Sequence, residues 1–321
     1  MDNIDKIAYA AVSEAKFNAP LRYDPDDQVK DDVYSDVYLK VVKVSDKKKE
    51  YDVSFVNHEK HDNAPRAPFI ANFVKRVLRD TDNSLDCTGI YPFELHDSYT
   101  YLPERRRSTE SFMTFSKHHA DRNPVLFPDP FQLSSYGNLL AVKDNVPREK
   151  KLSRILFAGS TTGDRDPAKN VRINACLWSL KKDNCDFYIT NVAQMSPDVV
   201  PKSILHDPVT IEEHFKYKYI LNIRGNTCCW SRMPMIMNSS SLLVNLAHDD
   251  ITWYYPLMGD NAGVNINRLD QLDSVVNFCT NNDREVHMMT MNANKFVQNY
   301  CKLLHAEHYT KTLFDTFAHN K

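Results

Sequence analysis

Two segments of the chain combine small, hydroxyl and cationic residues in the way that binding of anionic oxygens requires. The first, FAGSTTGDRDP, offers Gly159, Ser160, Thr161, Thr162 and Arg165. The second, RGNTCCWSRMP, offers Arg224, Gly225, Asn226, Ser231 and Arg232. Glycine lets a ligand come close to the backbone, hydroxyls and amides donate to phosphate oxygens, and arginine supplies a forked, charge-assisted contact. Each segment directly follows an apolar run, RILFAG or YILNIRG, that reads as a buried strand. On neighbouring strands of one parallel sheet the two would form a diphosphate cradle outside the carboxyl ends. Pro234, just after Ser231-Arg232, suits the first turn of a helix whose start can face the phosphates.

Other groups carry competing chemistry. Asp164-Arg165-Asp166 is a D-x-D that could hold a divalent metal, or simply a charged surface cluster in which Arg165 pairs with its neighbours. His118-His119 and His305/His308 have no further ligands nearby in sequence and read as structural. The seven cysteines show no C-x-x-C pair and no zinc spacing, which points to reduced thiols and a cytoplasmic location. Lys47–Lys49 and Arg105–Arg107 read as solvated turns rather than nucleic-acid patches.

The elements that must position these groups fall into two stretches. Ile4, Ile7, Ala8, Ala11 and Val12 mark a short amphipathic helix. DVYLKVVKV and YDVSFVN are strands in a hairpin-like or parallel arrangement, and PFIANFVKRVLRD is a second amphipathic helix. The charged, proline-containing segment KDNVPREKKL at 143–152 reads as a linker. After it strands and helices alternate, which implies a parallel sheet covered on both faces. The division expected is therefore 1–145 and 146–321, with a long helical tail in the second part. A chain of 321 residues exceeds what one core usually serves, which also favours two domains. Its 40 Lys+Arg against 42 Asp+Glu argue against a nucleic-acid binder, and no apolar run is long enough to cross a membrane. The first residues lack the basic and apolar regions of a secretory leader.

The order of several blocks resembles glycosyltransferase family 90, the Rumi-like protein O-glucosyltransferases and the capsule-associated xylosyltransferases. These blocks are FAGSTTGDRDP, HFKYKYILNIRG, CCWSRMPMIMNSSSLLVNL, WYYPL, GVNINRLDQLDSVVNF and NDREVHMMTMNANKFVQNY. FELHDSY and FSKHHADRNPVLFPDPF resemble the family's acceptor-side segments. The resemblance implies an α/β GT-B architecture, two Rossmann-like domains facing across a cleft, with a UDP-sugar on the C-terminal domain and the acceptor on the N-terminal one. It implies inverting, metal-independent transfer of glucose or xylose from UDP-glucose or UDP-xylose to a hydroxyl of a glycan or protein, with no cofactor. Asp97 falls on the general base, with Glu94 and Asp121 as nearby alternatives. Ser160 and Arg165 fall on the diphosphate-binding Ser and Arg. The first loop is a residue shorter than in the Rumi-like enzymes, which makes Arg172 a rival to Arg165. Asn226 through Arg232 fall on the second nucleotide-binding loop, where Cys229 or Trp230 packs on the uridine. Trp253-Tyr254-Tyr255 reads either as core or as a wall on which a sugar stacks. Two other readings of the same residues are a binding module without catalysis and a metal-dependent enzyme using the D-x-D.

Overall fold

The computed structural model describes residues 2–15, 37–45, 50–56, 62–79, 86–98, 111–134 and 139–319. Lys47–Lys49 and Arg105–Arg107 lie outside the described residues. The chain divides into two compact units. One comprises Met1–Ser134, Asp250–Pro256 and Lys302–Lys321, and the other Ser135–Asp249 and Leu257–Cys301.

Unit 1 opens with helix α1 (Asp2–Glu14), which buries Ile4, Ala8 and Val12 at helical spacing. Strands β1 (Tyr38–Ser45) and β2 (Glu50–Val56) pair antiparallel. Alternation along EYDVSFV buries Tyr51, Val53 and Phe55 on one face. Helix α2 (Arg66–Arg79) buries Ile70, Phe73, Val74, Val77 and Leu78, the apolar stripe of its sequence. Strand β3 (Gly89–Pro92) pairs antiparallel with the other edge of β1. Next come β4 (Phe112–Thr114), β5 (Lys117–His118), β6 (Pro124–Leu126) and the short α3 (Pro130–Leu133), with β4 and β6 parallel. The expected N-terminal Rossmann-like domain is corrected here: among the described strands the three-stranded sheet β2-β1-β3 is antiparallel throughout. Residues 46–49 are too few for a crossover, so β1 and β2 can only run antiparallel.

Unit 2 is built on five parallel strands. In chain order these elements are β7 (Leu152–Ser160), α4 (Val171–Ser179), β8 (Cys185–Asn191), α5 (Ile211–His214), β9 (Tyr217–Asn222), α6 (Arg232–Met237) and β10 (Leu242–Leu246). A two-residue strand of unit 1, β11 (Asp250–Ile251), interrupts before β12 (Val264–Ile266), α7 (Leu272–Asn281) and α8 (Asp283–Phe296). The sheet order is β12-β10-β9-β7-β8. Counted along the chain this is the 2-1-3-4-5 order of a doubly wound sheet, whose direction reverses between β7 and β9. Ile155, Phe157, Leu221 and Val244 form one core with Ile173 and Cys176 of α4 and Val275 of α7. The apolar runs that predict strands are thus buried parallel strands, as their near-continuous hydrophobicity requires.

The helical tail expected in the second domain is placed otherwise. Its last helix, α9 (Leu303–His319), belongs to unit 1. There Tyr309 Oη donates to Leu126 O at 2.9 Å, Phe314 meets the ring of Tyr91 edge-on at 5.1 Å, and Thr312 Oγ1 donates to Asp5 Oδ1 at 2.7 Å. Trp253 and Tyr254 are core residues and not a wall for sugar: both are fully buried. Trp253 stacks on Tyr309 at 4.4 Å and donates from Nε1 to Gln132 Oε1 at 2.7 Å.

The segment 143–152 is no linker. Lys151 is buried in unit 2, with Nζ 2.7 Å from Asp144 Oδ2 and 3.1 Å from Ser241 Oγ. Asp144 Oδ2 also accepts from Ser240 N and Oγ. Burial alone would raise the Asp144 carboxyl, but the Lys151 ammonium and the Ser240 donors outweigh it and hold it below its ordinary value. Charge density suggests solvent; here it marks an ion pair folded into the interior. Among the described residues no helix is long and apolar enough to cross a membrane.

Candidate functional site

The loops leaving β7 and β9 lie on either side of the point where the sheet order reverses, where a doubly wound sheet presents its ligand crevice. Arg172, in the first turn of α4, stitches them together. Its Nη1 donates to Thr162 Oγ1 at 2.6 Å, to Ser160 O at 3.1 Å and to Ser160 Oγ at 3.3 Å. Its Nε donates to Arg224 O at 3.0 Å, and Nη2 to Ile223 O at 3.0 Å and Cys229 Sγ at 3.3 Å. These partners are hydroxyls, backbone carbonyls and a cysteine sulfur, with no carboxylate among them. Gly225 is required beside it, since a Cβ there would lie 2.8 Å from Thr162 Oγ1 and 3.1 Å from Arg172 Nη2.

Arg232 enters the same crevice. Its Nη2 donates to Ala158 O at 2.7 Å, its guanidinium carbon sits 4.8 Å from the centre of the Phe157 ring, and its Nη1 is buried without a bond. The guanidinium of Arg172 lies 5.9 Å from the same ring. Desolvation, reinforced by the Arg172 charge, pushes the Arg232 guanidinium down to about 10, so it stays cationic at neutral pH. Burial pushes the nearby Cys176 thiol up to about 12, which removes it as a compensating anion. Neither arginine has a carboxylate partner among the described residues. Two cations thus share one aromatic floor with no carboxylate between them among the described residues, a charge that a polyvalent anion would offset.

The other residues singled out from sequence divide. Arg165 and Arg224 are exposed, and Arg224 contributes its carbonyl to Arg172. Ser160 and Thr162 are half-buried and their hydroxyls are 3.1 Å apart. Thr161 is fully buried, and its hydroxyl bonds both the carbonyl and the amide of Ala193. It ties the first loop to the loop after β8 and has nothing left for a ligand. Trp230 is buried, whereas Cys229 is half-buried beside Arg172. Ser231 precedes α6 without capping it through its side chain. Asn226 Oδ1 accepts from Gly163 N at 3.1 Å, and Gly163 takes φ +130°, which glycine alone adopts readily. The D-x-D carboxylates serve their own turn: Asp164 Oδ1 accepts from Asp166 N, and Asp166 Oδ1 from Ala168 N.

Asp97 belongs to unit 1. Arg66 Nη2 donates to its Oδ1 at 2.7 Å while Nη1 reaches Leu95 O at 2.7 Å, and Ser116 Oγ donates to Asp97 O at 2.8 Å. The carboxylate is thus oriented by a forked arginine from α2. Glu94 is buried, and its Oε1 lies 2.6 Å from His96 Nδ1 and accepts from His96 N at 2.8 Å. That bond raises the His96 imidazole above its ordinary value. Asp121 is half-buried after β5.

Asn170 and Gln194 were not evident from sequence. Asn170, fully buried, caps α4 by accepting from Arg172 N and Ile173 N, and its Nδ2 donates to Thr161 O and Asp164 O, both at 2.8 Å. An asparagine directly before an apolar helical run was the available signal. Gln194, at φ 67°, sends Oε1 to 3.3 Å from Gly163 N.

Residues 165–320 match the model of glycosyl transferase family 90, a span of just under half the chain. This agrees with the resemblance drawn from the blocks above. No curated protein matches the chain. Among solved structures, that of TarM matches with a TM-score of 0.37 at 13% identity, over 54% of this chain and 38% of that one.

Proposed function

We propose, on the premise that residues 165–320 carry a glycosyl transferase family 90 sequence, that the protein is an inverting, metal-independent glycosyltransferase using a UDP-sugar. The observation that carries this reading is the pair Arg172 and Arg232, two desolvated cations without an anion at the switch point of a doubly wound sheet. The donor is assigned to unit 2 and the acceptor, a glycan or protein hydroxyl, to unit 1. UDP-glucose and UDP-xylose are the donors of choice. Seven free thiols suit a reducing compartment such as the cytoplasm.

The chemistry assigned to these groups is a single displacement. The acceptor oxygen bonds the anomeric carbon as the bond from that carbon to the diphosphate oxygen breaks. The acceptor proton passes to Asp97, and UDP leaves with the bonding electrons. Arg172 and Arg232 take up the charge that develops on the leaving diphosphate, in surroundings where water competes little. Arg66 is the positioning residue, fixing one oxygen of Asp97.

A screen of UDP-sugars by thermal shift and by release of free UDP tests the reading. Stabilisation with turnover that survives excess chelator is expected. Stabilisation without turnover would favour the binding module, and loss of turnover in chelator, restored by manganese, the D-x-D enzyme.

A further inference from the structure

Gln194 alone among the described non-glycine residues takes a positive φ, 67°. A side chain disfavours that region, and Asn, Asp and His enter it more readily than Gln does. Gln194 directly follows Ala193, whose carbonyl and amide both bond Thr161 Oγ1, at 2.7 and 2.8 Å. The loop after β8 is thus pinned to the first loop at one residue and bent through an unfavourable conformation at the next. A conformation of that kind persists only where its surroundings enforce it, and it marks a place where function is to be sought.

The far end of the side chain supplies the reason. Gln194 Oε1 accepts from Gly163 N at 3.3 Å, and the same N–H is shared with Asn226 Oδ1 at 3.1 Å. Gly163 is therefore held from two sides, by a carboxamide of the loop after β8 and by one of the loop after β9. It is the bend of the first loop, at φ +130°, and a Cβ there would lie 3.4 Å from Gly225 O. The ends of that loop have other supports, since Asn170 Nδ2 donates to Thr161 O and to Asp164 O. Between them Thr162 is held through its hydroxyl, which accepts from Arg172 Nη1. An anion bound by Arg172 competes for that guanidinium, whereas the two bonds at Gly163 N do not involve it.

We propose that Gln194 is a positioning residue for the nucleotide, its left-handed backbone aiming the carboxamide that holds Gly163, and with it the first loop, in place for the diphosphate. This rests on the reading that Arg172 and Arg232 hold that diphosphate. Stability does not require the contact, because Gly163 N keeps Asn226 Oδ1 without it and the Gln194 side chain is exposed. What the contact adds is a second direction of restraint. A bend held by one bond can pivot about it, and a bend held from two different loops cannot. Binding groups fixed in advance lose less freedom when the ligand arrives. Gln194 touches no ligand in this assignment and acts only through Gly163.

Gln194→Asn separates this role from a structural one. Asparagine accepts the left-handed backbone more readily, yet its side chain is one methylene shorter and falls short of Gly163 N. Gln194→Gly removes the carboxamide outright. The native chain and both variants are compared by calorimetric titration of UDP, by thermal melting, and by hydrogen exchange across residues 160–166 without nucleotide. In Gln194→Asn the melting temperature should stay level or rise, while exchange in the first loop quickens. Its UDP affinity should fall about three- to tenfold, the worth of one neutral hydrogen bond, and Gln194→Gly should repeat that loss. A merely structural contact would lower melting temperature and affinity together, and that result overturns the proposal. So does native UDP affinity in both variants. If the native chain binds no UDP, the diphosphate reading fails. The exchange comparison still decides whether Gln194 holds the loop, and unchanged exchange overturns it.

Discussion

Gly159 lies directly beneath the guanidinium of Arg232, so close that a Cβ at position 159 would overlap Nη2. The glycine of the first loop is therefore a seat for the arginine of the second. Gly159→Ala should displace that guanidinium and weaken UDP binding by up to about 1.5–3 kcal/mol, the worth of a hydrogen bond to a charged group. Titration of UDP into this variant and into Arg232→Ala checks it. Similar losses are expected, and native affinity in Gly159→Ala would mean that Arg232 does not touch the ligand.

Arg172 and Arg165 should behave differently. Arg172 is bonded to both loops, so Arg172→Lys keeps a charge but loses the fork that reaches Ser160, Thr162 and Ile223. Both melting temperature and UDP affinity should fall, the affinity at least tenfold by the worth of a charge-assisted contact. Arg165→Ala changes an exposed side chain, and its effect on stability should stay within about 0.5 kcal/mol. Parallel titrations decide which arginine holds the anion.

Asp97→Asn keeps the shape of the carboxylate and removes its capacity to take a proton. Transfer should fall by roughly 10²–10⁴ while UDP-sugar affinity and melting temperature change little. Glu94→Gln is the comparison, since Glu94 is engaged with His96. Parental turnover in Asp97→Asn would pass the role of base to Glu94 or Asp121.

Asp144→Asn should destabilise unit 2 by about 3–5 kcal/mol, because it leaves the Lys151 ammonium buried without its counter-charge. The folded-state value of Asp144 is depressed. Its contribution is therefore complete above the ordinary carboxyl range and is lost as pH falls through the lower folded value. Melting curves from neutral to acid pH should show this acid limb in the native chain. In Asp144→Asn the limb should be flattened.

Much of unit 2 was legible because buried parallel strands are continuous apolar runs, and RILFAG and YILNIRG end where the cradle begins. The stripe of α2 was legible for the same reason of periodicity. Arg172 was harder to choose over Arg165, because Arg165 stands in the first loop itself and Arg172 just after it. Only the fold shows that one turns inward beneath the loops and the other outward. Periodicity says which face of α9 is apolar but not which body it covers, so the end of the expected tail lies in unit 1 while α8 stays in unit 2. The pair Asp144–Lys151 misleads in the opposite way, since a charged segment with a proline reads as a linker although its ion pair is buried. The bond between Gln194 and Gly163 had no linear mark, because their loops meet only through the pairing of β7 with β8.

The position of β7 bears on any attempt to study the donor side in isolation. It is the strand shared by β8 and β9, and it supplies Phe157, Ala158, Gly159 and Ser160 to the crevice. The span 165–320 begins after it. A fragment cut to that span would expose two unpaired strand edges where β7 had joined them, and would aggregate rather than bind nucleotide. It would also carry all of α9 away from α1, β3 and β6, which pack against that helix. The portion most easily traced between relatives is thus not an autonomous folding unit, and biochemical work on this protein needs the chain from α1 to α9.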